Sequence, residues 1–179
     1  MTSLVVVTGV PGAGKTGLAT ALAERLGSAL ISLDEIKEEL AVDAEDTPRE
    51  WLRYDAEAEL VHRLEAFDGE AVVDIWIAPR RDTERVRDLL KRWWDRTVEV
   101  RCRVPAVVAL ERYVARPRPW PHLPPDDETL ARIRDAAEHP ESLGAPRTLV
   151  VDTTRPVEIG DVVTGVRRET GARPRRRSH

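Results

Sequence analysis

Cysteine is nearly absent: Cys102 is the single one in 179 residues. It has no partner for an internal disulfide, and alone it cannot build a thiolate metal centre, which fits a reducing compartment. Long apolar runs are missing too, so no segment reaches the length of a membrane helix. The chain passes from Met1 almost directly into Leu4-Val5-Val6-Val7, which leaves no room for a secretory leader. These absences predict a cytosolic protein with no membrane partner. Excess positive charge is also lacking: the net charge is −4 and the pI about 5.7, which argues against a dominant electrostatic grip on nucleic acid. The exception is the stretch 171–179, where Arg173, Arg175, Arg176 and Arg177 surround Pro174. It reads as a solvated, disordered end, with a nucleic-acid arm as the alternative. With 41% apolar and 34% charged residues, residues 1–170 suffice for one well-buried domain and not for two.

What is present begins with Gly9-Val10-Pro11-Gly12-Ala13-Gly14-Lys15-Thr16, a full match to the phosphate-binding pattern G-x-x-x-x-G-K-[ST]. Its setting strengthens it. The Val-rich run Leu4–Val7 reads as a buried parallel strand, and Leu18, Ala19, Leu22, Ala23 and Leu26 recur at helical spacing before Gly27. Strand, glycine loop and helix in that order aim backbone N–H groups and a positive helix end at one hollow, which suits a polyphosphate. Gly9, Gly12 and Gly14 are expected to let phosphate oxygens approach the main chain. Lys15 is expected to reach the β- and γ-phosphates of ATP, with Thr16 on Mg²⁺; Pro11, Ala13 and Gly17 complete the nucleotide loop.

Farther along, Ala29–Leu33 reads as a second strand ending on Asp34, before a polar helix from Glu35. A carboxylate at the carboxyl end of a parallel strand is a candidate for chemistry; capping the next helix is an equal alternative. Thr47-Pro48-Arg49-Glu50 is a capping box with Pro at the first helical position, opening a long helix striped by Leu52, Ala56, Leu60 and Leu64. Within this segment, 35–67, Trp51 and Tyr54 form either a substrate shelf or a solvated face. Ala71-Val72-Val73-Asp74 has the form of a strand whose terminal Asp holds Mg²⁺, which places Trp76 and Arg80 or Arg81 at the same crevice as acceptor-binding candidates.

The remaining stretches extend the alternation. Asp82–Trp94 reads as a helix with Trp93 in the core. Val98, Val100, Cys102 and Val104 alternate with Glu99, Arg101 and Arg103, the pattern of a half-buried strand near a sheet edge with Cys102 as a buried small hydrophobe. Pro105–Ala115 follows as a helix with Val107, Leu110 and Val114 inward; Arg112 and Arg116 lie one turn apart on it, able to close on a nucleotide. The proline-rich segment 116–126 is either a mobile lid carrying Arg116, Arg118, Trp120 and His122 or a stiff connector. Asp126–Glu138 reads as a helix, Thr148–Asp152 as a buried strand, and Pro156–Arg168 as a last helix weakened by Gly160 and Gly165. The fold class is α/β: a five-stranded parallel sheet with helices on both faces, a three-layer sandwich.

Taken together, Gly9–Thr16, Asp34, Val72-Val73-Asp74, Arg112 with Arg116, and Val150 to Val157 resemble P-loop kinases of the chloramphenicol phosphotransferase, zeta-toxin and polynucleotide 5′-kinase type. That resemblance implies a P-loop NTPase, nucleotide-kinase-like fold and transfer of the ATP γ-phosphate to a hydroxyl. It implies Asp34 as the base or orienting carboxylate, Arg116 with Arg112 or Arg118 as lid arginines, and the turn with Thr153, Arg155 and Pro156 beside adenine. The leading expectation is a kinase for a small hydroxylated molecule such as an antibiotic, nucleoside or sugar. The alternatives are a polynucleotide 5′-hydroxyl kinase, with its exposed aromatics and basic tail on the nucleic acid, and a nucleotide-dependent switch or ATPase.

Overall fold

The protein is described by a computed structural model over residues 2–42, 47–117 and 120–170. The basic tail and Arg118 lie outside the described residues. The elements in chain order are β1 (Ser3–Thr8), α1 (Lys15–Leu26), β2 (Ala29–Ser32), α2 (Leu33–Ala41), α3 (Arg49–Ala66) and β3 (Glu70–Asp74). Then come α4 (Thr83–Leu90), a 3-10 helix (Lys91–Arg96), β4 (Thr97–Arg103), α5 (Ala106–Ala115), α6 (Asp127–Glu138), β5 (Arg147–Asp152) and α7 (Ile159–Thr170).

The strands form one parallel sheet in the order β2-β3-β1-β4-β5. Because successive side chains on a strand point to opposite faces, β1 supplies two cores at once. Val5 and Val7 join Leu18, Leu22, Ile133 and Val166 on one face; Leu4 and Val6 join Leu60, Leu64, Val86 and Trp93 on the other. The order puts β1 in the centre, so the loop after it opens at the middle of the sheet's carboxyl edge. In register, Val7 lies opposite Asp74 on β3, and Ser32 at the end of β2 lies opposite Asp74 from the far side. Three strand ends thus converge on one spot, which is where ligands bind in open parallel sheets.

Several expectations change. β4 is an interior strand, not an edge: it pairs with both β1 and β5, and Glu99 is wholly buried. The charged alternation that suggested exposure arises because that carboxylate accepts hydrogen bonds from Thr8 Oγ1 at 2.8 Å, Ser142 Oγ at 2.6 Å and Leu143 N at 3.1 Å. The edge on that side of the sheet is β5 instead, where alternate residues are exposed, Val150 among them. On α5 the inward residues are Ala109 and Tyr113, while Val107 and Val114 are exposed, since a small residue is needed where α5 meets the glycine loop. α2 begins at Leu33, with Ser32 as its N-cap accepting from Glu35 N at 3.4 Å, so Asp34 does not cap it. α3 starts at Arg49 with no side chain capping it, in place of the capping box. The helix expected over 82–94 passes into a 3-10 turn after Leu90, and Trp93 is core as expected.

Candidate active site

The loop Gly9–Thr16 joins β1 to α1, and no side chain caps the start of that helix. Its leading N–H groups are therefore open to an anion. Lys15 is buried, its Nζ 3.3 Å from the Val10 carbonyl, so its stem is fixed and its charge lies over the loop. The glycines answer to packing as much as to ligand approach. A Cβ on Gly12 would sit 2.1 Å from the Ala109 carbonyl oxygen of α5, at φ +85°. Gly14, at φ +79°, meets nothing closer than 4.0 Å and is set by backbone conformation alone.

Asp74 ends β3 beneath the loop. Its Oδ2 accepts from Thr16 Oγ1 at 2.7 Å, while Oδ1 is buried and has no hydrogen-bond partner among the described residues. Burial raises the Asp74 carboxyl above its ordinary value, and Lys15 and the Thr16 hydroxyl pull it partly back. A hydroxyl and a half-unpartnered carboxylate beside a phosphate loop form a donor set that suits Mg²⁺. Among the described residues no group of three or more His, Cys, Asp or Glu side chains forms a metal site by itself. Two protein oxygens with the rest of the shell from phosphate and water match how that ion is commonly held.

Asp34 stands in the first turn of α2, half exposed, with Lys37 Nζ 3.4 Å from its Oδ1. Burial pushes its carboxyl up, but Lys37 and Lys15 outweigh this and hold it below the ordinary value of 3.8. It is therefore ionised at neutral pH. A cavity of about 390 Å³ brings together Pro11, Gly12, Gly14, Lys15, Thr16, Gly17, Asp34, Trp76, Arg112 and Arg116.

Other expected residues are placed elsewhere. Gly9 abuts Cys102 and Ala13 is buried behind the loop. Thr153 is also buried; its Oγ1 donates to the Ala13 carbonyl at 2.6 Å, so it braces the loop from below. Arg112 clasps the same turn, donating to the carbonyls of Thr153 and Thr154 at 3.0 Å each. Arg155 and Pro156 are exposed and do not line the cavity. Neither do Trp51 and Tyr54, which point to solvent on α3, nor Arg80, which pairs with Asp135 at 2.9 Å.

A family model described as an AAA domain (AAA_33) matches residues 4–140. The chain belongs to this family. Solved structures resembling this AAA-family chain include a candidate kinase of Chloroflexus aurantiacus, 27% identical with a TM-score of 0.79, covering 93% of this chain and 97% of its own. A gluconokinase of Sinorhizobium meliloti is 22% identical with a TM-score of 0.61, covering 94% and 91%. A shikimate kinase of Acinetobacter baumannii, solved with shikimate, is 20% identical with a TM-score of 0.60, covering 92% and 90%. No curated protein matched the sequence. The AAA-family chain therefore has a P-loop, kinase-like α/β fold whose structural neighbours include kinases. Among its described residues no helix is long and apolar enough to cross a membrane.

Residues that sequence reasoning passed over, together with His122 and Leu123 of the expected lid segment, complete the cavity. Glu35, Lys37 and Glu38 line it from α2, Tyr113 from α5, and His122 and Leu123 from the proline-rich segment. That segment is tied across the opening: His122 Nε2 is 2.7 Å from Glu38 Oε1, Tyr113 Oη donates to the Leu123 carbonyl at 2.7 Å, and the Arg49 guanidinium lies 4.6 Å from the centre of the Trp120 ring. The Trp76 wall is fixed from behind. Arg53 Nη2 donates to the Trp76 carbonyl at 3.1 Å while Arg53 Nε and Arg85 Nη1 both bond to the buried Glu57, and Asp82 accepts from Ala78 N at 3.1 Å. Spacing from Asp34 at i+3 and i+4 was the available signal for Lys37 and Glu38. In the Arg53 to Asp82 network the same spacing marks the pairs Arg53–Glu57 and Asp82–Arg85, but nothing in the sequence joins the two pairs, which lie 28 residues apart at Arg85 and Glu57.

Proposed function

We propose that this protein is a phosphotransferase that moves the γ-phosphate of ATP to a hydroxyl of a small molecule. The observation that carries it is the position of ionised Asp34, across one cavity from the Lys15 loop and beside the Thr16–Asp74 pair. Phosphoryl transfer needs charge neutralised on the migrating group and a nucleophile held in line, and little else from the protein. Lys15 and the open N–H groups of α1 take the phosphate oxygens, and Arg116 closes over them from the end of α5. Thr16 and Asp74 would hold Mg²⁺, which would add positive charge at the β- and γ-phosphates. Asp34 accepts a hydrogen bond from the acceptor hydroxyl. As the new O–P bond forms and the bond to the ADP oxygen breaks, the hydroxyl proton passes to the Asp34 carboxylate. An ordinary or lowered pKa suffices there, since the proton leaves late in a loose transition state.

The cavity of about 390 Å³, open on one side, is of a size that favours a compact acceptor over a polynucleotide, and the gluconokinase and shikimate kinase of the same fold are consistent with that size. The resemblance to the chloramphenicol phosphotransferase and zeta-toxin group supports the same reading. The test is phosphate transfer from γ-labelled ATP to a panel of sugars, polyols, nucleosides and hydroxylated antibiotics. Asp34→Asn is expected to keep ATP binding while lowering transfer by about 10²-fold or more. Equal ATP turnover by wild type and Asp34→Asn, with no labelled acceptor, would instead identify a nucleotide switch.

A further inference from the structure

His122 reaches into the cavity from the segment between α5 and α6, opposite the P-loop, and is otherwise well covered, with 10% of its side chain exposed. Its Nε2 is taken by Glu38 Oε1 at 2.7 Å. A carboxylate can only accept, so at a pH where the ring is neutral the proton sits on Nε2 and the lone pair on Nδ1. Among the described residues nothing hydrogen-bonds Nδ1, and that atom is not sealed in the interior. The ring is also near Asp34, close enough that its protonated form favours the Asp34 carboxylate. Glu38 and Asp34 share a face of α2 at i and i+4, so the two acceptors of hydrogen bonds, Asp34 and His122 Nδ1, are held by a common element.

We propose that His122, oriented by Glu38, is a specificity residue that accepts a hydrogen bond from a second hydroxyl of the acceptor, so that the substrate class is a diol or polyol. This rests on the phosphotransferase reading above. Asp34 receives the hydroxyl that is phosphorylated, and Nδ1 receives its neighbour. An acceptor with one hydroxyl leaves the Nδ1 lone pair unmatched, and a site built to bind a hydroxyl discriminates against analogues that lack it. Lys37 and Lys15 face the same space but donate only, and Glu35, exposed on the cavity wall, offers a charged carboxylate; none of the three reproduces the neutral acceptor that Nδ1 supplies.

The experiment has two arms on the full chain. In the first, ¹⁵N-histidine labelling at pH 8 reads the tautomer of His122, assigned with His122→Gln. The expected state is the Nε2-protonated ring, lost or mixed in Glu38→Gln; a ring protonated on Nδ1 overturns the proposal. In the second arm, γ-labelled ATP is offered with cis-1,2-cyclohexanediol or cyclohexanol as probes. The diol is expected to have a kcat/KM about tenfold above the mono-alcohol, the worth of one hydrogen bond, mainly through KM. His122→Gln keeps a donor for Glu38 at the Nε2 position but removes Nδ1, so the ratio should fall toward one. A merely structural latch would instead be rescued by Gln with the ratio intact, and that result, or a wild-type ratio of one, overturns the proposal. Transfer to neither probe nor to any hydroxylated compound of the panel, with the Nε2 tautomer present, would strike at the phosphotransferase reading itself.

Discussion

Replacing Gly12, Gly14 and Gly17 by alanine should separate packing from backbone conformation within six residues. At Gly17, in the first turn of α1, an added Cβ meets nothing within 4 Å and φ is ordinary. Gly17→Ala should therefore stabilise the chain by about 0.5–1 kcal/mol, the usual gain of Ala over Gly in a helix. At Gly14 the added atom has room, but φ is +79°, and a left-handed conformation costs an L-residue about 1–2 kcal/mol. At Gly12 the same conformational cost applies, and the Cβ would lie 2.1 Å from the Ala109 carbonyl oxygen, well inside contact distance. Either the loop or α5 must move, so the expected loss exceeds roughly 3 kcal/mol, the upper range for overpacking. Because α5 carries Tyr113 and Arg112, and Arg116 follows directly after it, Gly12→Ala should also weaken ATP binding by more than Gly14→Ala does. Urea denaturation followed by circular dichroism gives the three stabilities, and calorimetric titration with ATP gives the affinities. A Gly12→Ala protein within 1 kcal/mol of wild type, or less affected than Gly14→Ala, would refute the role assigned to the Ala109 contact.

The two site carboxylates should respond to pH in opposite directions. Asp74 is raised in the fold, so it favours the folded state at low pH and loses that contribution as pH rises through its folded value; Asp74→Asn should stabilise the unliganded chain at pH 7, with the difference vanishing below about pH 3.8. Asp34 is lowered, so it stabilises above the ordinary carboxylate value of 3.8 and loses this as pH falls through its folded value; Asp34→Asn should cost stability at pH 7 and converge with wild type in acid, both read from Tm against pH. Glu99→Ala strands the Thr8 hydroxyl and the Leu143 N–H in the interior, and a loss of about 3–5 kcal/mol is expected in denaturant melts; a loss under 1 kcal/mol would count against the network. Burial pushes the Cys102 thiol up to about 12, so iodoacetamide should label it only as fast as the chain unfolds.

How much was legible follows the range of the interactions. The strand, loop and helix around Gly9–Thr16 were readable because pattern and periodicity lie within 25 residues, and the β-α alternation carried the sheet. Asp74 was readable as a strand-end carboxylate, although only the structure brings Thr16 Oγ1 to it; Asp34 was expected at a strand end, but β2 stops at Ser32 and Asp34 stands in the first turn of α2. Glu99 was misleading because a charged residue in an alternating strand ordinarily marks a solvated face, and its donors come from Thr8, Ser142 and Leu143, from 43 to 91 positions away. Val107 and Val114 misled for a related reason: α5 must offer Ala109 to Gly12, and that steric demand rotates the larger valines outward. The exposure of Trp51 and Tyr54 depends on how α3 is rotated, which side chains on other elements decide.

The bond from Thr153 Oγ1 to the Ala13 carbonyl couples one of the earliest loops of the chain to one of its last turns. During synthesis the phosphate loop emerges first, yet its brace, and the carbonyls that Arg112 clasps, come about 140 residues later. A ribosome-bound nascent chain should thus lack a firm grip on nucleotide until β5 has cleared the exit tunnel. Nucleotide capture would then report completion of the whole sheet.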